Sequence, residues 1–288
     1  MAVPYKAPVK DIVFGYEVID SYSVLNKISA FSDFSEDIVI PTMEECAKFS
    51  EEILAPINSI GDQQGATIKD GVVTMPEEFV DAYKKFAEAG WASISLPSDI
   101  GGGGMPITLS GGTLEILSTA NLAFGLAPGL SAGAISAINF HGNQEQKDKF
   151  LPKLVSGEWT GTMNLSEPQS GSDLGTITTK AEPQEDGSYK ITGTKVWITF
   201  GEHNMTENII HLVLAKVPGS PEGTKGISMF IVPKYIVNDD GSIGDSNNVN
   251  CISIEEKLGI HASPTCVMEY DGSVGYLVGE ENRGLNYM

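Results

Sequence analysis

The 288-residue sequence is short of the groups that several common site chemistries need. Cysteine is scarce: Cys46, Cys251 and Cys266 are far apart and form no CxxC pair. That excludes a disulfide framework and points to a reducing compartment, so a cytoplasmic protein is expected. The four histidines, His141, His203, His211 and His261, show no HxxxH or HExxH spacing, and no metal site is expected. Positive charge is also sparse, with 18 Lys and Arg against 38 Asp and Glu and a net charge of −20. A field of that sign argues against nucleic acid or an anionic membrane surface as a partner. No stretch reads as the roughly 20 apolar residues of a membrane span, and the N-terminus has no apolar run of signal length. The dinucleotide fingerprint GxGxxG is missing: after Gly101–Gly104, Pro106 stands where the third glycine belongs, so the run reads as a flexible turn. No GxSxG elbow offers a serine nucleophile.

What is present divides the chain in two. From Ile38 to Ile57 the residues Met43, Cys46, Phe49, Ile53 and Leu54 recur at helical spacing. "GDQQGATIKDG" then reads as loop. Thr74 and Glu77 are spaced as a capping box before a helix lined by Phe79, Val80, Tyr83 and Phe86. Residues 107 to 140 are small and apolar and predict buried helices. Asn143 and Gln146 predict a second capping box, before a helix that ends by Gly157. After Trp159 the pattern alternates, with a hairpin at Asp186-Gly187, strands at "NIIHLVLAKV" and "GISMFIVPKY", and another turn at Asp271-Gly272. Helices first and strands second predict an α+β chain, not alternating βαβ units. The expected division is an N-terminal extension over 1–35, a helical domain over 36–160, a barrel-like or sandwich β-domain over 161–280, and the start of a further helical domain over 281–288.

The junction carries "NLSEPQSGSDLG", Asn164 to Gly175. A plain connector would explain Pro168 and Gly171. A binding surface would explain more, because Gly171 lets main chain approach a ligand and Ser166 and Ser172 add hydroxyls. Such a loop suits the polar edge of a flavin better than a bare phosphate. In "KVWITFGEH", Trp197 either fills a β-domain core or walls a planar ligand, with Thr199 on the same strand face.

These residues resemble a family. "MNLSEPQSGSDLG" is similar to the flavin-contact loop of acyl-CoA dehydrogenases, and "ITGTKVWITFGE" to their second flavin strand. "LPSDIGGGGMP", "HGNQEQKDKFLPKLVSGEW", "EKLGIHASPT" and "GYLVGEENRGL" match further landmarks of the family in the same order, so the resemblance runs from about residue 36 to the end. "YKAPVKDI" and "ITFGEHNMTENIIHLVLA" look like the branch acting on 3-methylthiopropanoyl-CoA. The resemblance implies FAD as cofactor, an acyl-CoA substrate, an electron-transfer flavoprotein as partner and a homo-oligomer. It implies that Met163, Leu165, Ser166, Gly171, Ser172, Trp197, Ile198 and Thr199 line the flavin, and that Ser172 also sits near the pantetheine arm. Ser166 stands where Thr is usual, and Phe200 where Asn or Ser is common. The catalytic Glu of the family belongs to a C-terminal bundle, so no catalytic base is expected in this chain, with weak or no flavin retention and no turnover. An acyl-CoA oxidase, or a non-catalytic flavin- or DNA-binding relative, is the alternative.

Overall fold

A computed structural model describes residues 4–288; the first three residues of the expected N-terminal extension lie outside it. Helices occupy the first half: α1 (Val9–Val18), α2 (Ser21–Leu25), α3 (Glu36–Phe49), α4 (Ala55–Gln64), α5 (Glu77–Glu88), α6 (Ile107–Ala120), α7 (Leu122–His141) and α8 (Gln144–Val155). A small hairpin of β1 (Thr67–Lys69) and β2 (Val72–Thr74) sits between α4 and α5. The second half holds β3 (Trp159–Asn164), β4 (Lys180–Pro183), β5 (Tyr189–Thr199), β6 (Asn208–Lys216), β7 (Ile227–Pro233), β8 (Tyr235–Val237), β9 (Ile243–Ser246), β10 (Val249–Ile254), β11 (Thr265–Leu277) and the one-turn α9 (Gly284–Tyr287). The chain is therefore helical first and β second, as its periodicity requires.

Several local readings need correction. A π turn at Ser50–Leu54 joins α3 to α4, and the helix continues to Gln64, into the stretch expected to be loop. Gly61 makes this possible, since a Cβ there would lie 2.5 Å from the Phe79 ring that packs on it. Thr74 ends β2 and Pro76 is the N-cap of α5, so no capping box forms there. The box at Asn143 does form, with Gln146 N–H donating to Asn143 Oδ1 and Asn143 N–H to Gln146 Oε1. The Gly101–Gly104 run is not a flexible turn. The N–H groups of Gly102, Gly103 and Gly104 donate to carbonyls of Pro97, Ser93 and Leu96, and a Cβ on Gly102 would meet Leu96 O at 2.2 Å. Asp271-Gly272 is not a turn but a bulge within one continuous β11, with Gly272 at φ +68°.

The apolar stretch at 122–141 also departs from expectation. In length and apolar composition α7 reaches what a membrane span requires, contrary to the expectation that no stretch does. Half of it is buried inside the protein, and it packs against β3, α6 and α8. Its role here is that of a core helix.

Five strands close into a barrel: β11 pairs β5, β5 pairs β4, β4 pairs β6, β6 pairs β7, and β7 returns to β11. β10 extends β11, and β3 runs parallel to β6 from Trp159↔Asn208 to Asn164↔Val213. One apolar core, with Phe79, Phe86 and Phe124, fills the helical half. A second joins α7 and α8 to β3, β6 and β7; a third, with Ile191, Phe230 and Tyr270, fills the barrel.

The contact between α7 and β3 sets where the chain leaves the helices. Gly161 N–H donates to Ser131 Oγ at 3.0 Å, and a Cβ on Gly161 would lie 2.4 Å from that of Ala134. Gly161→Ala is expected to destabilise the fold by about 1–3 kcal/mol through overpacking. A fall in the urea midpoint checks this, and an unchanged midpoint would show that the contact is slack.

Candidate functional site

Where β3 ends, the edge of β6 that it covered is free until β4 takes over at Lys180↔Lys216. Residues 165–179 leave the sheet through that gap as a loop. Inside it, Glu167 and Ser170 exchange two backbone hydrogen bonds, Glu167 N–H to Ser170 O and Ser170 N–H to Glu167 O. The Ser170 hydroxyl donates to Asp173 O at 2.6 Å, and Asp173 Oδ1 accepts the Gly175 N–H. The loop is thus folded on itself by its own polar residues.

It is tied down by a buried ion pair. Glu167 is 1% exposed and Lys195, on β5, is fully buried, with Lys195 Nζ 2.9 Å from Glu167 Oε1. The carboxylate also accepts from Thr178 N–H and Oγ1, Thr179 N–H and Oγ1, and Gln169 Nε2. Burial alone pushes this carboxyl up, but the Lys195 ammonium and the bonds from Thr179 and Thr178 outweigh it and hold it at about 2. Burial lowers the Lys195 ammonium to about 8 against the pull of Glu167, so both groups stay charged at neutral pH. Lys195 Nζ donates in addition to Leu165 O at 2.9 Å, and Val196 N–H donates to Ser166 O at 3.0 Å. Loop and strand are therefore sewn together at consecutive residues of each.

Just past this seam, β5 bulges. Its register against β11 slips between Lys195↔Met268 and Ile198↔Cys266. Lys195 and Val196 both turn inward, and Trp197 is left outside with φ +59° and 59% of its surface exposed. The reading of Trp197 as a core residue is corrected by that exposure. A Cβ on Gly171 would lie 3.9 Å from Trp197 Cζ3, which puts the loop tip beside the indole. Phe200, three residues on, also has positive φ (+53°) and is buried against His203.

The expected flavin residues divide by what they present. Gly171 and Ser172 are exposed, and Met163, Leu165, Ser166 and Thr199 are half-buried. Among the described residues, the hydroxyls of Ser166, Ser172 and Thr199 and the N–H groups of Leu165 and Ser166 have no hydrogen-bond partner. Met163 lies under α7, where a Cβ on Gly133 would meet its Sδ at 2.8 Å. The side chains of Leu165 and Ile198 go the other way, Leu165 against the helix–sheet core and Ile198 into the barrel core, so these two offer main chain only. The set suits a flat, polar-edged group: an exposed indole, a glycine beside it, and donors in the same loop and strand that are without partners among the described residues.

Sequence reasoning missed Glu167 and Lys195 as a pair. It also missed the polar filling of the barrel. There Tyr270 OH donates to Asn164 Oδ1 and Asn164 Nδ2 to Thr162 Oγ1, which lies 2.7 Å from His211 Nδ1. His203 bonds Thr160 in the same interior at 2.9 Å. Burial lowers both imidazoles to about 3, which keeps them neutral and structural. Among the described residues no group of three or more His, Cys, Asp or Glu could hold a metal.

Known proteins share this layout. The chain matches the acyl-CoA dehydrogenase N-terminal domain over residues 42–158 and the middle domain of the same family over 162–273. It is 46% identical to a 3-methylmercaptopropionyl-CoA dehydrogenase of Ruegeria pomeroyi, covering 99% of this chain and 48% of that protein. It is 37% identical to a butyryl-CoA dehydrogenase of Syntrophomonas wolfei, covering 96% and 46%. The chain thus spans about half the length of the curated relatives it matches. Among solved structures, an acyl-CoA dehydrogenase from Bacillus anthracis complexed with FAD superposes with a TM-score of 0.71 at 27% identity, over 89% of this chain and 39% of that one.

The depressed Glu167 value fixes a pH dependence. A carboxyl at about 2 in the fold, against an ordinary 4.5, adds stability that is complete above the ordinary value and lost as pH falls through the window towards 2. The loss is expected to be on the order of 2–3 kcal/mol. Urea midpoints measured across that window should fall steeply for the wild type and less steeply for Glu167→Gln; parallel curves would contradict the assignment.

Proposed function

The chain belongs to the acyl-CoA dehydrogenase family, and on that premise we propose that it forms the flavin-contacting part of an enzyme that desaturates an acyl-CoA thioester between its α and β carbons. The cofactor is FAD, and the acyl group belongs to the class of 3-methylthiopropanoyl-CoA. Electrons leave to an electron-transfer flavoprotein, and the whole enzyme is a homo-oligomer. Free, buried thiols at Cys46, Cys251 and Cys266 support a reducing, cytoplasmic setting. We further propose that the functional division falls at 36–160 and 161–280, with 1–35 as an extension and 281–288 opening a further helical part.

The observation that carries the reading is the meeting of the exposed loop tip at Gly171 with the exposed Trp197 ring. FAD supplies the hydride acceptor when bound. The protein's part is orientation. The Trp197 indole stacks by the ring system, and the unpaired Ser166 and Thr199 hydroxyls and the Ser166 N–H address its polar edge. Ser172 is exposed at the loop tip, which supports a contact with the pantetheine arm of the thioester. Glu167 is not the base that takes the α-proton. It is sealed from the surface, its oxygens are taken up by Thr, Gln and Lys donors, and its pKa lies near 2, far from the value a general base needs at neutral pH.

A titration of the chain with FAD tests this. Tryptophan fluorescence is expected to quench saturably, and Trp197→Ala to weaken binding by about tenfold. The thermal midpoint of that variant should stay near the wild type, because the side chain is largely exposed. Equal FAD affinity in the wild type and in Trp197→Ala would sink the proposal.

A further inference from the structure

We infer that Lys195, anchored by Glu167, is a positioning residue that aims the Ser166 N–H at the flavin; this rests on the flavin reading above. Peptide bonds in the described chain are all trans. In a trans peptide the C=O and the next N–H point in opposite directions. Lys195 Nζ holds the Leu165 carbonyl from inside the barrel wall at 2.9 Å. The Ser166 N–H, on the same peptide, therefore points away from the wall, and among the described residues it meets no acceptor. On this inference that outward side is the one where Gly171 and the exposed Trp197 ring stand together.

The orientation depends on Lys195 being held in turn. A lysine with a fully buried side chain is unusual, and its ammonium has two acceptors here, Leu165 O and Glu167 Oε1. Glu167 is itself clamped by Thr178 and Thr179, on the far limb of the loop. The chain Thr178/Thr179–Glu167–Lys195–Leu165 O thus runs from one limb of the loop through β5 to the other. A buried ion pair is not needed to stabilise a fold, since apolar replacements of similar volume often do as well. An apolar pair would leave the Leu165 carbonyl without a donor and the peptide free to turn. Geometry, not stability, is what only the charged pair supplies.

The test separates the two roles in the 288-residue chain. FAD affinity is measured by fluorescence titration, the visible spectrum and reduction potential of bound FAD are recorded, and stability is followed by urea denaturation. Four proteins are compared: wild type, Lys195→Met, Glu167→Gln/Lys195→Met and Thr178→Ala. Lys195→Met is expected to lose both stability and FAD affinity, because it leaves Glu167 charged and unpaired. The double variant, with both charges gone, is expected to recover most of the stability. Its FAD affinity should stay at least about tenfold below wild type, the scale of one lost hydrogen bond from a charged donor. The potential of its bound FAD should shift negative for want of a fixed donor at the ring. Thr178→Ala changes an exposed side chain, is expected to fold, and should weaken FAD by about threefold through loss of one bond to Glu167. Recovery of affinity and potential along with stability in the double variant, or no effect of Thr178→Ala, would overturn the positioning role. A wild type that binds no FAD would instead strike the flavin reading itself.

Discussion

A carboxylate can be shut inside a protein wall only if its lone pairs find donors and its charge finds a partner. Glu167 meets both conditions, and the local chain path follows from how it does so. Donors from Thr178 and Thr179 require the loop that leaves β3 to come back beside its own start before β4 begins at Lys180. The ammonium of Lys195 requires β5 to pass directly beneath. Because Lys195 and Val196 bind the carbonyls of Leu165 and Ser166, the loop cannot lift from the strand without exposing unpaired groups. A loop of glycine, proline and serine, which composition alone would leave loose, is in this way given one shape.

The parts of this arrangement that were legible in the sequence are those set by local pattern. Helices before strands, the cap at Asn143 and the hairpin at Asp186-Gly187 rest on spacing and turn chemistry, and each stands in the structure. What was misread depended on residues distant in sequence. Gly61 looks like a helix breaker until Phe79 and Ala262 are seen packing where a Cβ would go. Asp271-Gly272 looks like a turn until Asn247 and Asn248 of the β9–β10 connection, and Thr192 of β5, are seen bonding the bulge on either side. The glycine run at 101–104 looks flexible because its acceptors at 93–97 are not visible as such in the sequence.

The candidate residues could be named from the sequence, but not the fastening that holds their loop. Ser166, Gly171, Trp197 and Thr199 could be named from their chemistry. The signal for Lys195 was present and went unused. On an alternating strand it shares parity with Ile191, an inward position, and a lysine facing inward demands an acid within reach. The neighbouring loop offers two acids, Glu167 and Asp173, and the structure buries the first and exposes the second. That the Ile198 side chain enters the barrel core was not visible in the sequence, because the bulge between Lys195 and Ile198, which resets the alternation, depends on pairing with β11 and has no local mark.

Trp197 shows how these constraints converge on an opening instead of a core. A bulky residue with φ near +59° carries backbone strain of roughly 1–2 kcal/mol. An indole left 59% exposed also forgoes most of the burial that makes tryptophan worth placing. Neither cost is repaid by packing of the ring within the chain, where Ile198 is the neighbour that enters the barrel core. The bulge that produces both costs is the same one that lets Lys195 and Val196 face inward together and hold two successive loop carbonyls. Fixing the loop and turning out the ring are thus a single backbone event. The indole and the loop tip at Gly171 are held side by side by the chain's own bonds, so little ordering of the protein is left to oppose the binding proposed above.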